Sequence, residues 1–427
     1  MRVKFVYTLY PDLKLAREDL KEKIKKVDFE PSLGIFFLTE NLIGYYQEFS
    51  KLLDCNSICM PIEGYVTQKA IWTRGALLLL IDADYKLYKF NGPADRVCRD
   101  LENSKKGKTS FLIYPAFYFG GRLELLNALL KEKRLYGSYR RGDKTALKRA
   151  SDFLQEKMVY PINKILRPLR DRGEEAISFN IFPLEISFGQ PMITMNGQKI
   201  GRSLIRIRFN EKIKIHYTDT LPERGNSLEE TVEILKNELG VAKEIEVEKK
   251  GIALGHVEGF KVVDFVKRER KISELDKDII NDIDKKKVLG ASPYILWFFS
   301  RETFGAAGLG IAEYPLGIYP SLYELEPFDS RALFSPTETV KGGIQRLLDY
   351  FETVGEFDFL AIDQNFMLMY REKISEIRRI LSEDACGIFT SNPSCTLNYG
   401  GNIRLMTEVE RNIYLNLTRT VAYLKFS

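Results

Sequence analysis

Four stretches near the N-terminus decide the fold when read in order: Leu33–Leu38 (LGIFFL), then residues 41–53 (NLIGYYQEFSKLL), 55–64 (CNSICMPIEG) and 75–87 (GALLLLIDADYKL). The first is a short apolar run between turn formers, which reads as a buried strand. The second places apolar residues at i, i+3, i+4 and i+7, the spacing of a helix with one buried face. The third is a short apolar segment. The fourth is long and rich in Leu and Ile, a further strand. The same order returns near the C-terminus. There 357–362 (FDFLAI) is the strand, 371–381 (REKISEIRRIL) the helix, 386–392 (CGIFTSN) the short segment and 417–426 (LTRTVAYLKF) the closing strand. A third copy lies between, with strand 109–114 (TSFLIY), helix 122–131 (RLELLNALLK), segment 135–142 (LYGSYRRG), and strands at 177–182 and 204–209. Shared order with similar spacing points to duplication; the alternative is that an α/β chain shows this order by chance. The expected fold class is α/β, with repeated strand–helix–strand–strand units forming mixed sheets in two related lobes.

The middle of the chain departs from this rhythm. Residues 143–172 are helical and charged, with Pro161 and Pro168 interrupting. Residues 197–217 alternate apolar and charged side chains, the pattern of half-exposed antiparallel strands. Ser227 can cap a helix over 227–240, whose Glu229 and Glu230 suit its positive end. Two short strands around Gly251 and Gly259 follow, then a solvated helical connector over 267–287. The turn-rich 221–227 (LPERGNS) marks a boundary that divides the chain into 1–225 and 226–427.

Composition narrows the function classes. The chain has 427 residues, 44% of them hydrophobic and 29% charged, enough to bury large cores. Lys and Arg exceed Asp and Glu by 64 − 59 = 5, too weak a bias to demand a nucleic-acid or membrane partner. His216 and His256 are the two histidines, so a His-rich metal centre is excluded. Cys55, Cys59, Cys98, Cys386 and Cys395 are too few for a disulfide scaffold. Their spacing is uneven for a four-thiolate zinc site, and they read as buried thiols with neither zinc nor disulfide. The apolar run before Pro11 is too short for a signal peptide, and residues 76–81 and 294–299 have strand rather than membrane-span length. A cytoplasmic location is the expectation, with no membrane partner.

Motifs for chemistry are sparse. Residues 305–310 (GAAGLG) approach a dinucleotide fingerprint, but Pro315, Gly317 and Pro320 forbid the helix that must follow. They read as a loop near a domain interface. A basic cluster holds Arg134, Arg140, Arg141, Lys144, Lys148 and Arg149, with Tyr136 and Tyr139 between them. These are ingredients of an anion or nucleic-acid site, or of a solvated helix start. His256 reads as a surface or packing residue, and Asp82 and Asp84 as a solvated strand end.

The order of elements resembles the FIST sensory domains of prokaryotic signalling proteins, which pair an N-terminal and a C-terminal part. The family's G-x-x-T-x-G-E turn is matched in its first half by Gly387-Ile-Phe-Thr390, while Asn392 and Pro393 replace its closing Gly-Glu. Asn416-Leu-Thr418 stands where the family carries Asn-x-Thr. Tyr136-Gly137 with Gly142-Asp143 resembles its Gly-Gly…Gly-Asp turn, and residues 242–266 its bridge between the parts. Only Gly64 of the pattern is kept in the first turn. The resemblance implies FIST N-like and C-like domains over 1–225 and 226–427. It further implies a non-enzymatic sensory protein binding a small ligand, an amino acid or other small anionic metabolite, with a separate signalling partner and no cofactor. The ligand-binding candidates are Gly137, Arg140, Arg141, Asp143, Gly387, Thr390 and Asn392, with Arg140 or Arg141 pairing a negative group. The alternatives are an enzyme using Arg140, Asp143 and His256 on an anionic substrate, or a nucleic-acid-associated protein using the 134–149 cluster.

Overall fold

The computed structural model describes residues 1–118, 120–181, 192–219, 227–239, 242–272, 294–299, 304–309, 317–326, 329–336, 343–354, 356–364, 366, 374–390, 393–395 and 420–426. The chain is α/β, and three of its sheets share one strand order. The first unit runs β1 (Arg2–Thr8), α1 (Leu13–Ile24), β2 (Leu33–Leu38), α2 (Glu40–Ile43), α3 (Tyr46–Ser50) and β3 (Asn56–Pro61). A hairpin of β4 (Gly64–Thr67) and β5 (Ile71–Trp72) precedes β6 (Ala76–Asp82). These strands lie in the order β1-β6-β2-β3. The pair β2/β3 is parallel, and β6 is antiparallel to both its neighbours.

The second unit begins β7 (Tyr85–Asn91), α4 (Ala94–Asn103) and β8 (Thr109–Pro115). Three helices follow, α5 (Arg122–Arg140), α6 (Thr145–Lys157) and α7 (Ile162–Asp171). Then come β9 (Glu175–Ile181), the short β10 (Thr194–Met195) and β11 (Gln198–Lys199), and β12 (Ser203–Phe209). The order is β7-β12-β8-β9, again with the last pair β8/β9 parallel.

The third unit opens with β13 (Lys214–Asp219) and α8 (Leu228–Leu239). A separate sheet is inserted next: β14 (Lys243–Lys250), β15 (Ala253–Val257), β16 (Phe260–Lys261), α9 (Val262–Ile272), β17 (Tyr294–Phe299), β18 (Phe304–Leu309), β19 (Tyr319–Pro320) and β20 (Arg331–Pro336). The unit resumes with α10 (Gly343–Val354), β21 (Phe359–Asp363), a 3-10 helix (Ile374–Ile380), β22 (Cys386–Thr390), β23 (Ser394–Cys395) and β24 (Thr420–Lys425). Its order is β13-β24-β21-β22, with β21/β22 parallel. The sequence boundary at residue 225 falls inside this unit, since β13 pairs with β24.

Each unit gives away a strand. The arm between its third and fourth long strands leaves to cap another unit's open edge. The first unit's β4 pairs with β22 of the third, and the third unit's β23 pairs with β9 of the second. The second unit's β10 pairs with β3 of the first, which closes the cycle. Every third-strand edge is thereby covered, which removes a template for aggregation.

The three sheets turn their inner faces to one core. Ile35, Ile58 and Leu79 meet Phe111, Ile177 and Ile207, and with them Ala361, Ile388 and Leu424. Phe359 stacks on both Phe5 and Phe37 with ring centres 5.5 Å apart, tying the third unit to the first. The outer faces carry the helices, with α1, α2 and α3 over unit one and α4 and α7 over unit two. Strands buried on both sides explain the unbroken apolar runs LGIFFL and ALLLLI.

Two local expectations are corrected. All seven residues of β12 are buried, including Arg206 and Arg208, although the alternating sequence suggested a half-exposed strand. Helix α4, the loop after it and Glu174 cover that face and supply polar partners, so alternation did not mean solvent. Residues 305–309 of the run read as a loop lie in strand β18, paired along β17. Its Gly-Ala-Ala-Gly run lies opposite Ile295, Leu296, Trp297 and Phe298 of β17. No helix among the described residues is long and apolar enough to cross a membrane.

Candidate functional site

Unit one joins β2 to β3 through two short helices, whereas unit two uses three, and unit three carries a whole extra sheet. These two insertions meet. The Ser151 hydroxyl on α6 accepts from the Ile252 amide at 3.0 Å. The Glu132 carboxylate on α5, only 4% exposed, accepts from the Gly317 and Ile318 amides at 2.8 Å each. Burial pushes the Glu132 carboxyl up, and the two amides pull it back down. Tyr136, Leu147, Ala150, Ala253 and Ile318 form a small apolar cluster at the seam.

Four side chains with proton-transfer chemistry converge at its edge. One helical turn beyond Glu132, Tyr136 and Tyr139 project from the same face of α5. The Tyr136 hydroxyl lies 3.3 Å from His256 Nε2, and the Glu248 carboxylate lies 3.8 Å from His256 Nδ1. Tyr139 donates its hydroxyl to Glu248 in a close contact, and its ring centre is 4.9 Å from that of His256. Lys261 Nζ sits 5.0 Å from the centre of the Tyr136 ring. Burial raises the Tyr136 phenol, while the nearby Arg140 charge acts in the opposite direction.

Local backbone chemistry sets this geometry. Val247 pairs with Val257 and Lys249 with Leu254, so Gly255 and His256 face the single residue Glu248 in a β-bulge. Bulges re-aim side chains in this way. Glu258 and Gly259 both have positive φ, 51° and 75°, giving the two-residue turn that sets Lys261 opposite His256. Glycine is required beneath each tyrosine. A Cβ at Gly317 would stand 2.1 Å from Tyr136 Cγ, and one at Gly255 would stand 2.5 Å from the Tyr139 hydroxyl.

The residues anticipated from sequence fall in two places. Gly137 lies within α5 rather than in a turn, and Arg140 and Arg141 at the helix end are exposed. Arg141 Nη2 donates to the Ser138 hydroxyl at 3.4 Å. Gly142, with φ of 93°, ends the helix. Asp143 accepts from the Thr145 amide at 3.0 Å and its hydroxyl at 2.6 Å, which holds its carboxyl below the ordinary range, and it also contacts Arg149. Gly387 and Thr390 are buried in β22 of unit three, where a Cβ on Gly387 would press to 2.9 Å from that of Leu360. No hydrogen bond, ion pair or ring contact among the described residues joins the two groups. Asn392 and the 416–418 motif lie outside the described residues, as does Gly310. Sequence reading passed over Glu132, Glu248 and Lys261. The available signals were Glu132 one turn ahead of Tyr136 and the glycines flanking His256. All five cysteines are free. Burial lifts the Cys59 thiol to about 11 and that of Cys98 to about 12.

The model of the AF0772-like protein C-terminal domain matches residues 229–340, from α8 to just beyond β20. An uncharacterized protein of Archaeoglobus fulgidus is 36% identical over 367 residues, covering 86% of this chain and 99% of that protein. The chain belongs to the AF0772-like proteins. This overturns the resemblance to FIST domains and the sensory reading drawn from it. Of the glycines that carried the resemblance, Gly137 is a helix residue and Gly64 and Gly387 are strand residues here, while Gly142 stands in the turn after α5. The matched region covers α8 and the inserted sheet of unit three, and that sheet supplies Glu248, His256 and Lys261 to the seam.

Proposed function

We propose that this AF0772-like protein binds a small amino-acid-like metabolite at the seam between α5 and the inserted sheet. What supports the reading is the convergence of both charge signs and two phenols at one edge. Lys261 and Arg140 suit a carboxylate, Glu248 suits an ammonium group, and Tyr136 and Tyr139 provide aromatic walls. The test is thermal stabilisation of the full chain by a panel of α-amino acids, followed by titration calorimetry. A ligand at 100 times its dissociation constant adds about 2.7 kcal/mol. Glu248→Gln and Tyr136→Phe should each weaken binding roughly 10- to 150-fold, the range for a hydrogen bond to a charged group. Absence of stabilisation by any amino acid, or unchanged affinity in both variants, would refute the site.

A second reading is catalysis on the same ligand class. It rests on the imidazole placed between the Glu248 carboxylate and the Tyr136 phenol, an arrangement able to relay a proton. Incubation with any stabilising amino acid, with product analysis by mass spectrometry, separates the two. Turnover lost in His256→Asn supports the enzyme, and an unchanged ligand supports binding alone.

A further inference from the structure

Arg206 and Arg208 lie two residues apart on the outer face of β12, exposed to 0% and 1%. They are equally buried and very unequally partnered. Arg206 donates to the Ser110 hydroxyl at 2.9 Å, the Ser104 hydroxyl at 2.6 Å, the Lys105 carbonyl at 3.1 Å and the Glu174 carboxylate at 2.5 Å. Among the described residues the Arg208 guanidinium makes one hydrogen bond, from Nη2 to Asn210 Oδ1 at 3.2 Å, while its Nε and Nη1 are buried without a partner. Glu174 is already shared between Arg206 and Arg172, and Asp84 is engaged by Asn210. Leaving a guanidinium out of water with no counter-charge is among the more costly arrangements a fold can hold.

The surroundings add positive charge rather than removing it. The loop from α4 to β8 reads Ser104-Lys105-Lys106-Gly107-Lys108, and its three lysines are exposed. Gly107 lies against the Arg208 stem, where a Cβ would stand 2.5 Å from Cγ. Lys86, opposite Arg208 on β7, is also exposed. A buried guanidinium with two idle donors beneath a lysine-rich loop matches an oxyanion that accepts from the fork and is neutralised by the lysines.

We infer that Arg208 and the Lys105–Gly107–Lys108 loop form a second binding site, for a phosphate group carried free or on a small metabolite. The site belongs to unit two alone and is independent of the tyrosine–histidine seam. The experiment follows thermal melting and equilibrium dialysis of the full chain with inorganic phosphate and with ribose 5-phosphate, against chloride at matched ionic strength. Saturable stabilisation by phosphate beyond that of chloride is expected. Tighter binding of the ester would identify a phosphorylated metabolite as the source, and tighter binding of inorganic phosphate the free anion. Arg208→Met should weaken phosphate binding roughly tenfold or more. Without phosphate it should melt no lower than the parent, because an uncompensated charge has been removed. Arg206→Met, by contrast, should melt lower. The inference is overturned if phosphate acts no differently from chloride, if Arg208→Met keeps the phosphate response, or if it melts as low as Arg206→Met in phosphate-free buffer.

Discussion

Units one and two share a strand order yet fill the same place with opposite chemistry. At the carboxyl end of its parallel pair, the outer face of unit one buries Phe36, Leu38 and Cys59 under short helices. At that end of unit two the outer face buries Tyr114, Ser178 and Asn180, each 0% exposed. The Tyr114 hydroxyl lies beside Ser178 and Asn180, yet none of these three side chains has a hydrogen-bond partner among the described residues. Unit one shows that the framework closes without polar groups here. The polar residues of unit two at this end are therefore additions to the shared framework and not conditions for it.

That contrast can be broken at its strongest point first. Glu174→Ala strands the Arg206 guanidinium inside unit two and should cost about 3–5 kcal/mol in urea unfolding. A loss below about 1 kcal/mol would mean the charge network is ornamental. In unit one, Leu38→Ala opens a cavity in an apolar layer, with an expected loss of about 2–5 kcal/mol by the same measurement.

A smaller effect concerns pH. Burial, aided by the Glu40 charge, raises the Glu63 carboxyl from 4.5 to about 7. The unfolded chain releases this proton near 4.5 and the folded chain holds it to about 7. Its contribution to stability is thus greatest at low pH, falls across that window and is flat above it. Partial exposure keeps the fall below the roughly 3.5 kcal/mol that 1.4 kcal/mol per unit allows. Glu63→Gln should flatten the slope, and an identical pH profile in the variant would remove Glu63 from the account. The smallest effect is expected for Ser178→Ala combined with Asn180→Leu, within about 1 kcal/mol of the parent and on the stabilising side. A loss of several kcal/mol would show that these groups hold unit two together.

The repeat was legible because each copy spells the same succession of elements in local sequence. The exchange of arms was not. Strands of two to four residues, such as Thr194–Met195 and Gly64–Thr67, carry no periodicity, and their partners are remote in sequence. The basic side chains of β12 misled because alternation reports which residues share a face, not whether that face meets water. At the candidate seam, Tyr136, Tyr139 and His256 were visible as residue types. The bulge that turns His256 onto Glu248 depends on pairing register, which no single segment encodes.

The cyclic exchange also bears on how the chain is made. The arm ending at Thr67 must wait for β22, which begins at Cys386, an interval of 386 − 67 = 319 residues. At about 5–20 residues per second of synthesis, this hairpin stands unpaired for roughly 15–60 s while the edge of β3 awaits its own arm. The first sheet closes once Thr194–Met195 is made, whereas the second and third wait for β23 and β24, so a ribosome-stalled or C-terminally cut chain presents open strand edges in its already synthesised units.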